Sequence, residues 1–422
     1  DILLHVHSLM SLRDAARAAC VSHGFKHSWS RYPNLTLNTQ TLGFVHFVRK
    51  VNHILRKHSG VGVKTLKLDF SDCYDPKASN YLDSWLQIAV TPRLEVRNFK
   101  LFVNGFYNDE FSDGRFPYMQ KYNFPCSLLS DGSGSSIRYL ELECCSFRPT
   151  VQLGRFGSLT RLHLSFVRIT GDELGSLLSS SVVLEQLILK DFSEVISLKI
   201  PGQLRRLSYL HLHGCCSLQQ IENKAPNLCS IYLGDIPADR TPQKSFQLGE
   251  LLQLKDIDMR CYNAAYYARS ELPSIAPNLE TLTLGSQLEV PRRDMELDSI
   301  FEGSSDLRQM PQYHHHNLQS FRVTGFSSAR SLVELTCHIL ENTMSLERVT
   351  LNTTSSALKC SDAIYGRCLP MPKDNIVEAL KALRAIEMYI EVKVPAKVKL
   401  DVIGPCERCH VVEEGLSMSL LG

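Results

Sequence analysis

No apolar stretch in this 422-residue sequence approaches the roughly 18 residues of a membrane-spanning helix, so no span is expected. Charge of one sign is equally scarce. The 46 Lys and Arg against 44 Asp and Glu leave a net +2, and bulk electrostatics therefore favours neither nucleic acid nor membrane. The 14 cysteines are too thinly spread for the disulfide framework of a small secreted domain. Signatures of catalysis are missing as well. There is no G-x-S-x-G, no H-E-x-x-H and no phosphate loop, and Asp, Glu and His are scattered with no base assigned to a nucleophile. An enzyme is not expected, and neither is a metal or cofactor. The chain begins at Asp1 rather than Met, as a trimmed chain or a fragment would.

What is abundant is repetition. A hexapeptide of the form apolar-x-x-apolar-x-apolar occurs as IRYLEL, LTRLHL, LEQLIL, LSYLHL, LCSIYL, LKDIDM and LETLTL, starting at Ile137, Leu159, Leu184, Leu207, Leu228, Leu254 and Leu279. The intervals are 22, 25, 23, 21, 26 and 25 residues, the leucine-rich-repeat period. Positions four and six alternate with polar residues as a half-buried strand requires, whereas a helix would turn position six away from positions one and four. Three buried apolar side chains contribute roughly 4–9 kcal/mol. Ordering two dozen residues costs more, at about 1–2 kcal/mol each, so the units fold only by stacking. Cys145 and Cys215, each eight residues after a repeat start, occupy the small inward-facing position. As buried reduced thiols they point to the cytosol or nucleus.

Around this core the pattern thins. VKTLKL at 63–68 and VRNFKL at 96–101 predict two earlier strands, and YLDSWLQIAV at 81–90 an amphipathic helix between them. A helix is expected within 41–59, with Phe44, Val48, Val51 and Leu55 inward and Arg49, Lys50, Arg56 and Lys57 as its solvated face. Residues 104–136 and 291–317 read as loops. His314, His315 and His316 lie in the second, with spacing unlike a zinc site. LQSFRV at 318–323, a helix through 332–340 and LERVTL at 346–351 resume the stack. Near the end, Asp374 is placed to cap a helix bearing Ile376, Leu380, Leu383, Ile386 and Ile390, which Pro395 terminates; VKLDVI at 398–403 reads as a closing strand. Cys406-x-x-Cys409-His410 spells the c-type haem attachment signature, but no pocket or export route accompanies it. It also supplies only three of the four ligands zinc needs, and Cys360 and Cys368 form no recognised pair with it. A tail of reduced thiols is the expectation.

The two ends carry a resemblance. Asp1–Ile2–Leu3, Ser8–Leu9, Leu12–Arg13–Asp14–Ala15–Ala16, Val21–Ser22 and Trp29 match the helical F-box of plant proteins. Two features depart from it: no Leu-Pro precedes Asp1, and Ser11 stands where Pro is usual. The C-terminal helix, K-V-P, V-K-L strand and P-C-x-x-C resemble the FBD module of plant F-box and leucine-rich-repeat proteins. The resemblance implies an α/β fold: a leucine-rich-repeat solenoid with parallel strands on its concave face and an N-terminal helical F-box. The implied domains are 1–37 for a truncated F-box, 38–360 for the solenoid and 361–422 for the FBD-like cap. It further implies a substrate-recognition subunit of a Skp–cullin–F-box ubiquitin ligase. In that family Ile2, Leu3, Leu12, Val21 and Trp29 would contact the Skp-type adaptor, and through it a cullin. The residues between the buried ones on each strand would face a target protein: Tyr139, Glu141, Arg161, His163, Gln186, Ile188, Tyr209, His211, His213, Tyr232, Asp258 and Thr283. Should His163, His211 and His213 adjoin across strands, binding would depend on pH. The alternative is a protein-binding scaffold with no role in ubiquitin transfer.

Overall fold

The computed structural model describes residues 2–58, 63–70, 79–89, 98–103, 122–129, 136–149, 156–235, 247–248, 251–261, 264–285, 299–301, 307, 316–354 and 371–406. The chain divides into two compact units, Asp1–Asn227 and Leu228–Gly422.

The first unit opens with three helices, α1 (Ile2–Leu9), α2 (Leu12–Val21) and α3 (His23–Trp29). Ser11 is extended, so its Oγ accepts the Asp14 amide at 3.2 Å and caps α2, while donating to the Asp14 carboxylate at 2.7 Å. Inside the trio, the His7 and Phe25 rings lie tilted with centroids 4.8 Å apart, and Ala15 and Leu12 are buried. The first sheet strand follows at once. Asn34–Leu37 lies within the 1–37 stretch assigned to the F-box by resemblance; Leu35 and Leu37 alternate inward and pair in parallel with Leu66 and Leu68. The helix expected over 41–59 is broken. Gly43 (φ +74°) ends a short α4 (Thr39–Leu42), and His46 (φ 58°) precedes α5 (Phe47–Lys57). This shifts the buried face to Phe47, Val51 and Leu55, and leaves Phe44 65% exposed.

Seven strands of this unit run parallel in chain order: Asn34–Leu37, Thr65–Asp69, Asn98–Phe102, Tyr139–Glu143, Arg161–Ser165, Gln186–Lys190 and Tyr209–His213. Their register is one to one. Leu140, Leu162, Leu187 and Leu210 form one buried column, and Leu142, Leu164, Leu189 and Leu212 the next. The first leucine of each hexapeptide is buried just before its strand, as at Leu159, Leu184 and Leu207. The chain leaves four of these strands through a left-handed residue: Cys144, Phe166, Asp191 and Gly214. Only glycine adopts that conformation without strain. Cys145 and Cys215 are buried and unbridged, as expected.

Helices cover the leucine side. Phe70 stacks on Trp85 at 5.3 Å and meets Phe47 edge-on at 5.4 Å, and Trp85 Nε1 donates to Asn52 Oδ1 at 2.5 Å. The helix Gly171–Ser180 starts with a capping box in which Thr170 and Glu173 satisfy each other's amides. The expected loop 104–136 contains an ordered piece at 122–129: Tyr122–Asn123 pairs with Cys145–Ser146, and Leu129 is buried. Residues 104–121 and 130–135 lie outside the described residues.

In the second unit Ser230–Gly234, Asp256–Arg260, Thr281–Gly285, Ser320–Thr324, Arg348–Asn352 and Lys399–Ile403 likewise run parallel in chain order. Ile231, Ile257, Leu282, Phe321, Val349 and Leu400 share one register column. The helix Arg330–Asn342 is buried on nearly every side. Within the expected loop 291–317, Ile300 is buried and Ser299 bridges Ala329. His316 is exposed; His314 and His315 lie outside the described residues. Asp374 sits inside the first turn of Lys373–Ala385 rather than capping it, because Pro372 holds the cap position. That helix buries Ile376, Ala379, Ala382 and Ala385, and continues to bury Ile386 and Ile390; Leu380 points outward. The small alanines permit closer packing than Leu380 and Leu383 would. The strand Lys399–Ile403 closes the sheet as expected. Cys406 is described, but Cys409, His410, Cys360 and Cys368 are not.

Candidate recognition face

The alternation that buries leucines on one side of each strand lines up the intervening side chains on the other. In the first unit they form three columns. One runs Asn98, Tyr139, Arg161, Gln186, Tyr209. The central one runs Thr36, Lys67, Lys100, Glu141, His163, Ile188, His211. The last runs Asp69, Phe102, Glu143, Ser165, Lys190, His213. Every candidate the hexapeptides placed on this face is there. In the second unit Tyr232, Asp258 and Thr283 occupy one column in the same way.

The centre of the first unit's face is an ion cluster. Glu141 is only 8% exposed. Its Oε2 accepts from Lys100 Nζ at 2.6 Å and Tyr139 Oη at 2.8 Å, and Oε1 meets His163 Nδ1 at 3.0 Å. Lys100 also sits over the Tyr139 ring, 4.7 Å from its centroid. Burial alone would raise the Glu141 carboxyl, but the bonds from His163, Lys100 and Tyr139 overcome it and hold the pKa at about 2. Tyr139 is pushed up, first by burial and then by its bond to this carboxylate. Glu143 is raised by burial and by Glu141 and Asp69 nearby. With Nδ1 facing a carboxylate, Nε2 of His163 is buried with no hydrogen-bond partner. A group that donates a proton here would satisfy it. All three contacts to Glu141 come from donors, so the cluster neutralises a buried carboxylate instead of presenting it as a base.

Further along, Tyr209 Oη lies 3.1 Å from His211 Nδ1, and the His211 and His213 rings are 6.5 Å apart. Burial, then the charges of Lys190, His213 and His163, bring His211 down to about 4. The expected adjacency of three histidines across strands is not what forms: Ile188 stands between His163 and His211 in the column, and His211 and His213 share one strand. In the second unit Arg260 forks onto Asp258 with two bonds of 3.0 Å and lies 5.7 Å from the Tyr232 ring centroid. Lys67, Asp69, Lys100, Glu143, Lys190 and Arg260 complete these groups and were not singled out from the sequence. The recurring hexapeptide positions five and seven were their only signal.

The proposed adaptor contacts lie elsewhere. Ile2 and Val21 are each 82% exposed and Leu3 is 42% exposed, whereas Trp29 is half-buried and Leu12 only 6% exposed. Among the described residues no group of three or more His, Cys, Asp or Glu is placed to hold a metal, and no helix is long and apolar enough to cross a membrane.

Residues 54–295 and 287–407 match the family model described as "At1g61320/AtMIF1, LRR domain". The chain belongs to this plant leucine-rich-repeat family. The matches take in the parallel strands of the first unit from Thr65–Asp69 onward and the six parallel strands described in the second, which accounts for the register columns of each as repeat positions. A search of curated proteins finds no match.

Proposed function

We propose that this leucine-rich-repeat chain is the substrate-recognition subunit of a Skp–cullin–F-box ubiquitin ligase. In this reading α1 to α3 bind a Skp-type adaptor, and the open face of the ladder holds a target protein. The chain performs no chemistry; it brings target lysines to the ubiquitin-loaded enzyme, so catalysis is by proximity. One observation carries the proposal: the N-terminal helices expose Ile2, Leu3 and Val21, apolar groups a soluble surface leaves bare when a partner covers them. The buried, unbridged thiols Cys145, Cys215, Cys261 and Cys337 support a reducing compartment, the cytoplasm or nucleus. The test is capture of a plant Skp-type adaptor by the chain and by a Val21→Asp variant. Val21 is chosen over Leu12 because a charge at the buried Leu12 would disrupt the helices themselves. Capture by the parent chain that the variant loses supports the proposal; capture by neither sinks it.

The second reading is a repeat scaffold that binds a partner without ubiquitin transfer. What favours it is the reach of the family match, which begins at residue 54 and takes in the repeats but not α1 to α3. Target binding at the ladder face without adaptor capture is its signature.

A further inference from the structure

Between α2 and α3 on one side and α4 and α5 on the other lies a groove of about 1480 Å³. Its two long walls carry the same arrangement. On α2 the stripe is Arg13, Ala16, Arg17 and Cys20; on α5 it is Lys50, His53, Ile54 and Lys57. Both follow the spacing i, i+3, i+4, i+7, which keeps four side chains on one helical face. Lys26 of α3 adds a fifth cation to the lining. Ala16, Trp29, Leu42 and Ile54 are half-buried and make the apolar floor.

No Asp or Glu lines the groove. Residues 2–58 hold eight Lys and Arg against one Asp, a formal +7 in a chain whose total is +2. That one acid, Asp14, is on α2 beside the groove and is already engaged by the Ser11 hydroxyl at 2.7 Å and Arg17 at 3.7 Å. All four cations of the expected solvated face, Arg49, Lys50, Arg56 and Lys57, are exposed, and the groove divides them into two pairs. Lys50 and Lys57 face the groove, and Arg49 and Arg56 do not. Lys50 Nζ donates to the Leu42 carbonyl at 2.5 Å, which fixes that wall.

We infer that this groove binds an acidic polypeptide segment with apolar anchors. The charge is spread, not convergent. Arg13 and Arg17 are about 6 Å apart along the helix axis and Lys50 and Lys57 about 10 Å, at 1.5 Å per residue. Alternate carboxylates on an extended chain repeat at about 7 Å, which fits such a ladder of cations. A single phosphate needs donors aimed at one point. The apolar floor has no counterpart in a phosphate-backbone contact and suits leucine-like side chains placed between the acids. The inference does not depend on adaptor binding, although Leu12, Val21 and Trp29 also line the groove.

The test is fluorescence anisotropy on the full chain without adaptor. The probe is a short labelled peptide of Glu with interspersed Leu, set beside an all-Glu peptide, inorganic phosphate and a single-stranded RNA oligonucleotide. Arg13→Glu with Lys57→Glu reverses one exposed charge on each wall; Arg49→Glu with Arg56→Glu makes the same charge change off the groove. The expected result is saturable binding of the Glu/Leu peptide, weakened by salt. The groove variant should weaken it about tenfold, the 1.4 kcal/mol that two exposed charge contacts supply, and the off-groove variant less than about twofold. The all-Glu peptide should bind more weakly than the mixed one. Equal losses in both variants, tighter binding of RNA, displacement by dilute phosphate, or no peptide binding would each overturn the inference.

Discussion

Glu141→Gln tests whether the face of the ladder is a passive surface or a structural part. Gln keeps the size of Glu141 and one acceptor, but removes the charge that Lys100, Tyr139 and His163 converge on. The magnitude follows from the carboxyl itself. Holding its pKa at about 2 in place of 4.5 corresponds to about 3.4 kcal/mol at 1.36 kcal/mol per pH unit. Solvent at the edge of the cluster screens part of this, which leaves about 2 kcal/mol. Because the folded pKa is depressed, the stabilisation is present above pH 4.5 and is lost as pH falls towards 2. Roughly two-fifths is gone by about pH 3.5. Urea unfolding of the parent chain and the Gln variant, monitored by circular dichroism at neutral pH and again near pH 3.5, reads both quantities. The variant should be less stable by about 2 kcal/mol at neutral pH, and the gap should narrow at the lower pH. A variant as stable as the parent at neutral pH refutes the electrostatic account. A gap that stays constant with pH refutes it equally, since a packing defect would behave that way.

Two further outcomes follow from the same face and its turns. His211 has a folded pKa of about 4 against an ordinary 6.5, so the unfolded chain takes up its proton first; stability should fall as pH drops from 6.5 towards 4, and His211→Gln should flatten that part of a urea-midpoint profile. Gly214 has φ +63° and a side chain there would meet Asp191 Oδ1, so Gly214→Ala should cost about 1–2 kcal/mol for the backbone plus the collision; against an Asp191→Ala parent, which bears its own cost at φ 56°, the same substitution should cost the backbone part alone in urea unfolding.

Much of this was legible because a repeat announces itself. Leucines at Leu140, Leu162, Leu187 and Leu210 recur with a period that no single helix or strand would produce, and the buried columns follow directly from that period. The polar residues between them were placed correctly for the same reason. What the sequence hid were pairings. Glu141 receives its bonds from Lys100, forty-one residues earlier, and His163, twenty-two later, and only the parallel register brings them together. The break at Gly43 and His46 was hidden by an apolar spacing through Phe44, Val48 and Val51 that reads equally well as one helix. The left-handed conformation, not the hydrophobic pattern, decided which turn of α5 faces inward. The strand Asn34–Leu37 offered only four residues, with Leu35 and Leu37 as its alternation, too short a pattern to separate from the F-box stretch before it.

A ladder of this kind separates folding from recognition by giving them alternate residues of one strand. Replacing Gln186, which sits on the open face outside the contacts around Glu141, changes what the face offers a partner at little cost to the leucine columns behind it. The Glu141 cluster is where the separation fails. There a recognition position is 8% exposed, carries a charge and is held by three neighbours, so the face cannot be altered at Glu141 without loosening the sheet.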